Sequence, residues 1–137
     1  MTDESTFYSR SEAWLARLLE LSPVAATQLG DHRWDGRLGD FSPEALESQH
    51  QELLAAQAEL QAMDTTGFRL DARIDYVLVV QIFKSFIRGY VKLQSHRRNP
   101  GGYLDEVMGG VVLLLLKEFA PLPDRLRSAL GRVREAP

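Results

Sequence analysis

There is no cysteine anywhere in the chain, which excludes disulfide bridges, thiolate nucleophiles and cysteine-ligated zinc together. Charge is scarcely in excess: 16 lysines and arginines against 19 acids leave a formal net charge of −3. Neither a basic footprint for nucleic acid nor an acidic tail is present. The longest apolar run, Val111 to Leu116, falls far short of the roughly 20 residues a membrane span needs. Met1-Thr2-Asp3-Glu4-Ser5-Thr6 has no basic segment followed by an apolar one, so no secretory signal is expected there and the expected location is cytoplasmic. No fixed-period repeat and no low-complexity segment occurs, which argues against solenoids and disordered linkers. What remains is a single domain over residues 1–137, with no nucleic-acid or membrane partner expected.

What is present is helical periodicity. From Asp71 to His96 the polar residues Gln81, Lys84, Ser85, Arg88, Lys92 and Ser95 recur at three and four, while Val80, Phe83, Ile87, Tyr90 and Val91 fill the other faces. A buried strand over Tyr76 to Phe83 competes, but strands seldom continue into so long a stretch of helical spacing. The spacing therefore predicts one long central helix, capped by Asp71. Around it the sequence predicts an all-α fold of five or six helices. Phe7, Trp14, Leu15, Leu18 and Leu19 line the first, and Ser22-Pro23 and Ser42-Pro43 each read as a hydroxyl cap before a proline start. Gly30 suits the left-handed end of a short second helix. Leu46, Leu53 and Leu60 form a seam on the helix after Ser42. Near Gly109-Gly110 a bend or a close helix crossing is expected in a helix from Tyr103 to Glu118. A last helix should carry Leu122, Leu126, Leu130 and Val133 as its apolar line.

Chemistry is sparse. The three histidines, His32, His50 and His96, include no pair four apart with a neighbouring glutamate, the spacing that aims two imidazoles at one zinc ion. His50 reads as helix surface, and His96-Arg97-Arg98 as cations at a helix C-terminus. No serine elbow and no phosphate loop is found. Catalytic and metal-ligating residues are therefore not expected in this chain. The varied segment Asp31 to Asp40 is the candidate binding loop, with His32, Trp34, Asp35 and Arg37 as its residues. A carboxylate can orient an imidazole for acid-base work or metal binding. The plainer reading is loop architecture, with Asp31, Asp35 and Asp40 bonding backbone N–H groups and Trp34 plugging the core.

Pro23-Val24-Ala25-Ala26-Thr27-Gln28-Leu29-Gly30-Asp31-His32, then Asp35-Gly36-Arg37-Leu38-Gly39-Asp40-Phe41-Ser42, then the distant Asn99-Pro100-x-x-Tyr103, resemble the opening of the bacterial domain-of-unknown-function family numbered eight hundred and eighty-five. Full-length members of that family look like mostly helical, zinc-dependent peptidases similar to the thermostable-carboxypeptidase class. The resemblance implies zinc in the full-length protein, held by a His-Glu-x-x-His motif that no position of this sequence matches. This chain itself is expected to hold no cofactor. It resembles the N-terminal helical segment, which would wall part of a substrate channel.

Leu113 to Leu116 cannot all face one partner from a single helix. Burying each is worth about 1.5–3 kcal/mol, so something should cover them: the last helix, a second copy, or the remainder of a longer chain. Self-association or that remainder is the expected partner.

Overall fold

The computed structural model describes residues 3–136, Asp3 by its backbone only. Seven α-helices follow in order: α1 (Asp3–Leu21), α2 (Pro23–Leu29), α3 (Pro43–Gln61), α4 (Leu70–Arg88), α5 (Ser95–Arg98), α6 (Pro100–Leu116) and α7 (Leu122–Glu135). A 3-10 turn occupies His32–Trp34 and a π-helical turn Gly89–Leu93, and no strand occurs among the described residues. The fold is all-α, as the periodicity predicts.

The single long helix expected from Asp71 to His96 is a correction. α4 passes into the π turn, Gln94 then adopts the left-handed conformation with φ of 49°, and the four residues of α5 form a separate helix. That break accounts for a seventh helix where five or six were expected. Nor is Asp71 the cap of α4. Arg69 stands at that position, and its backbone N–H donates to the Glu4 carboxylate at 3.0 Å.

The described chain divides into two compact units, residues 3–16 with 41–98, and residues 17–40 with 99–136, the boundary falling within α1. In the first, Phe7, Leu60, Phe68, Ala72 and Phe83 are buried together, with Trp14, Leu53, Met63, Tyr76 and Val80 packed around them. Phe7 lies 5.6 Å from Phe68 and 5.9 Å from Tyr76, and Trp14 meets Phe83 edge-on at 5.4 Å. Such ring pairs add about 0.5–1.5 kcal/mol each beyond their buried area. Of the Leu46-Leu53-Leu60 seam, Leu60 is fully enclosed and Leu53 packs against the same cluster. His50, expected on the surface, is buried and stacked on Tyr90 at 4.3 Å, and His96 covers the other side of that ring at 4.5 Å. The π turn carries Tyr90 between the two imidazoles, where its hydroxyl donates to Glu47 at 2.9 Å.

The second unit holds α2, the 3-10 turn, α6 and α7. Its last helix is inverted relative to ordinary expectation. Arg125, Ala129 and Arg132 point inward, Arg132 with no exposed surface, while Leu122, Leu126, Leu130 and Val133 are 43–55% exposed. The line expected to be apolar is present, but it faces outward. Arg125 explains part of this: its Nη1 donates to the carbonyls of Leu114 and Leu115, and its Nε to that of Ala120. Those acceptors include carbonyls that the end of α6 leaves without intrahelical partners. α6 is continuous through Gly109-Gly110, and the crossing reading is the one that holds. A Cβ on Gly110 would lie 2.8 Å from Val24 Cγ2. Of the leucine quartet, Leu114 is buried whereas Leu116 is 76% exposed. Each half-open leucine realises only part of the roughly 1.5–3 kcal/mol that full burial brings.

Candidate functional site

The expected loop is built from its first residue onward. Gly30, with φ of 89°, ends α2 in the left-handed region that glycine adopts without penalty. Asp31 then caps the 3-10 turn, accepting the backbone N–H of Arg33 at 3.2 Å and its guanidinium at 2.6 Å. The hydrogen bonds from Arg33 hold the Asp31 carboxyl down at a pKa of about 2. A 3-10 turn eclipses side chains three apart. His32 and Asp35 meet in this way, with Nδ1 of the imidazole 3.0 Å from Oδ2. A carboxylate only accepts, so Nδ1 carries the proton in the neutral ring.

Two further contacts fix the pair. The imidazole lies flat on Phe119, with ring centroids 3.7 Å apart and planes 11° from parallel. Beneath it the buried Asp35 accepts the Thr27 hydroxyl at 2.7 Å. Thr27 Oγ1 also lies 3.0 Å from the Pro23 carbonyl, but Arg132 Nη2 donates to both that carbonyl, at 3.3 Å, and the hydroxyl oxygen, at 2.6 Å. The single hydroxyl proton is therefore directed to the charged acceptor, Asp35. The result is a continuous chain from a fully buried guanidinium to a partly open imidazole: Arg132, Thr27, Asp35, His32. Only the His32 side chain, 34% exposed, meets solvent substantially.

Arg132 makes this possible by gathering acceptors from several segments. Its Nε donates to the Arg37 carbonyl at 3.0 Å and its Nη1 to the Gly110 carbonyl at 2.6 Å. Burial lowers its pKa, opposed by the charges of Asp35, Glu106 and Glu135. Close backbone approach completes the seating, because a Cβ on Gly131 would stand 2.6 Å from the Gly36 carbonyl oxygen. Glu135 and Glu106 accept the backbone N–H groups of Leu38 and Gly39.

The structure brings His32 and Asp35 together. Trp34 is half-buried, with the guanidinium groups of Arg33 and Arg37 over its ring at 5.7 and 5.5 Å. Arg37 enters the network through its carbonyl instead. Asp35, expected to bond backbone N–H groups, binds two side chains. Thr27, Phe119 and Arg132 were missed, although Arg125 and Arg132, seven apart beside the leucine line, mark a second stripe on α7.

The chemistry available is that of an imidazole held in one orientation and one tautomer, able to accept a hydrogen bond or a proton at Nε2. No three histidine, aspartate or glutamate side chains among the described residues converge as a metal site. The residues here do not fit the zinc centre that the family resemblance implies, and no step through zinc follows from them.

The model of a bacterial protein family of unknown function, DUF885, matches residues 23–137, a span that includes the whole network. This chain belongs to the DUF885 family. It also resembles a solved structure from Shewanella oneidensis, described as "a putative lipoprotein of unknown function", with 31% sequence identity and a TM-score of 0.82. The match covers 92% of this chain and 23% of that one, so the DUF885 chain described here spans about a quarter of its relative's length. No curated protein matches it. Among the described residues no helix is long and apolar enough to cross a membrane.

Proposed function

We propose that this chain is the non-catalytic, N-terminal helical part of a longer, zinc-peptidase-like DUF885 protein. In that setting it forms one wall of the substrate channel, while the metal-bearing helices belong to the remainder. The observation that carries the reading is the match at TM-score 0.82 to a segment making up 23% of a much longer relative. The peptidase character rests on the resemblance of the Pro23–Ser42 motifs to the family opening. The words "putative lipoprotein" describe the Shewanella protein.

Incubating the purified chain with zinc and a peptide library tests this reading. No metal-dependent cleavage is expected, and turnover abolished by a chelator overturns it.

A second reading, a stand-alone helical module that self-associates, is favoured by α4. Leu70, Ile74, Val77, Leu78, Ile82 and Phe86 are all exposed along one helix. Sedimentation velocity separates the two. A tight, discrete dimer supports the module; a labile or polydisperse species supports the partial chain.

A further inference from the structure

The inversion of α7 identifies a surface and the chemistry of what covers it. A helix in water ordinarily turns its leucines inward and its arginines outward. Here the interior takes Arg125 and Arg132, each committed to several acceptors, so α7 cannot rotate its leucines inward without stripping those bonds. The outward line Leu122, Leu126, Leu130 and Val133 is consequently fixed. Arg127 and Arg134 lie along one edge of it, on the solvent side, and both are exposed. Arg127 reaches Asp124 of its own helix at 2.8 Å, a contact between two exposed groups that solvent weakens.

We infer that this face of α7 is the seat of an amphipathic helix with a leucine-type seam and a carboxylate-bearing edge, supplied by the remaining part of the longer family fold. The inference rests on the proposed reading of the chain as one part of a larger protein. Two observations favour that occupant over others: a solved relative about four times as long, and an edge that is cationic where a partner would meet it. A second copy of α7 would instead bring Arg127 and Arg134 of one chain near those of the other wherever the basic edges meet.

The test uses the isolated chain and two synthetic helical peptides with the same leucine seam, one edged with glutamates and the other with lysines. The glutamate peptide is expected to bind at least about tenfold more tightly at low salt, with the preference shrinking as salt is added. Replacing Leu126 and Leu130 together by aspartate should abolish binding while leaving the Tm of the chain within about 4 °C, since surface changes cost little. Equal affinity for both peptides overturns the carboxylate edge. A large loss of Tm in the L126D/L130D chain overturns the free face. A concentration-dependent dimer that the same substitutions dissolve assigns the face to a second copy. Grafting the chain in place of the matching segment of the Shewanella protein separates the two claims. If the glutamate peptide binds and the graft fails to form one compact monomer, the surface stands and the reading as part of a larger chain falls.

Discussion

Arg132 Nη2 lies 2.6 Å from the hydroxyl oxygen of Thr27, and through that hydroxyl a fully buried cation reaches the carboxylate of Asp35 without touching it. A direct ion pair would have to bring both groups into a single contact. The hydroxyl relay lets the guanidinium keep its other donors for the carbonyls of Pro23, Arg37 and Gly110. One side chain thereby fastens α2, the loop and α6 to α7.

Arg132→Met should accordingly be severe. It leaves the buried Asp35 carboxylate without its nearby cation and strips three carbonyls of a donor, which predicts a loss of about 3–5 kcal/mol. Thr27→Val keeps the shape but breaks the relay, and is expected to cost about 1–3 kcal/mol. Urea unfolding of both variants checks the order. A methionine variant as stable as the parent would show that the network is not what holds the unit.

Two glycines a short distance apart in role should respond oppositely to alanine. At Gly131 the new Cβ meets the Gly36 carbonyl oxygen at 2.6 Å, a backbone atom that can yield only if the loop shifts. At Gly109, inside α6, nothing lies within 4 Å. Gly109→Ala should then gain about 0.5–1 kcal/mol from helix propensity, while Gly131→Ala loses stability despite the same propensity gain. Thermal melts of the two variants give the signs directly.

The acid limb of stability should carry the signature of Asp31. Arg33 holds this carboxyl at about 2, below its ordinary 3.8, so the charged form is favoured in the folded chain. The contribution is complete above the unfolded value, declines as pH falls below it, and is lost once pH passes through the folded value. Asp31→Asn is expected to melt below the parent at pH 7, with the gap narrowing steadily towards pH 2 at constant ionic strength. A gap that stays constant with pH would remove Asp31 from the account.

Local signals carried much of this fold. Ser42 accepts the Ala45 N–H at 3.2 Å as its position before Pro43 implies, Gly30 takes the left-handed conformation, and the His32–Asp35 pair forms within a single turn. Signals that depend on what is distant in sequence were not legible. Arg132 is 105 residues from Thr27, and no spacing rule joins them. The leucines of α7 mark an apolar line without saying which side the protein turns inward, and the inward side went to arginines because paired donors can satisfy buried carbonyls. Gln94, after the π turn that follows α4, takes a left-handed conformation that glutamine does not announce. His50 is flanked by glutamine and glutamate, which read as surface, yet it is buried with Tyr90 stacked on it from the π turn.

The orientation of His32 can be measured without knowing any ligand. Because Asp35 only accepts, the neutral imidazole is held with its proton on Nδ1 and its lone pair on Nε2. Nitrogen chemical shifts at a pH where the ring is neutral should therefore report the Nδ1–H form. Asp35→Asn offers an amide that can either donate or accept, and the preference should fall towards a mixture of tautomers. It should also cost stability, since a buried carboxylate facing the Arg132 network loses its charge, whereas His32→Ala, on the solvent side of the chain, should cost far less. If the parent shows mainly Nε2–H, the carboxylate does not set the tautomer, and the ring would present a donor rather than an acceptor to whatever approaches it.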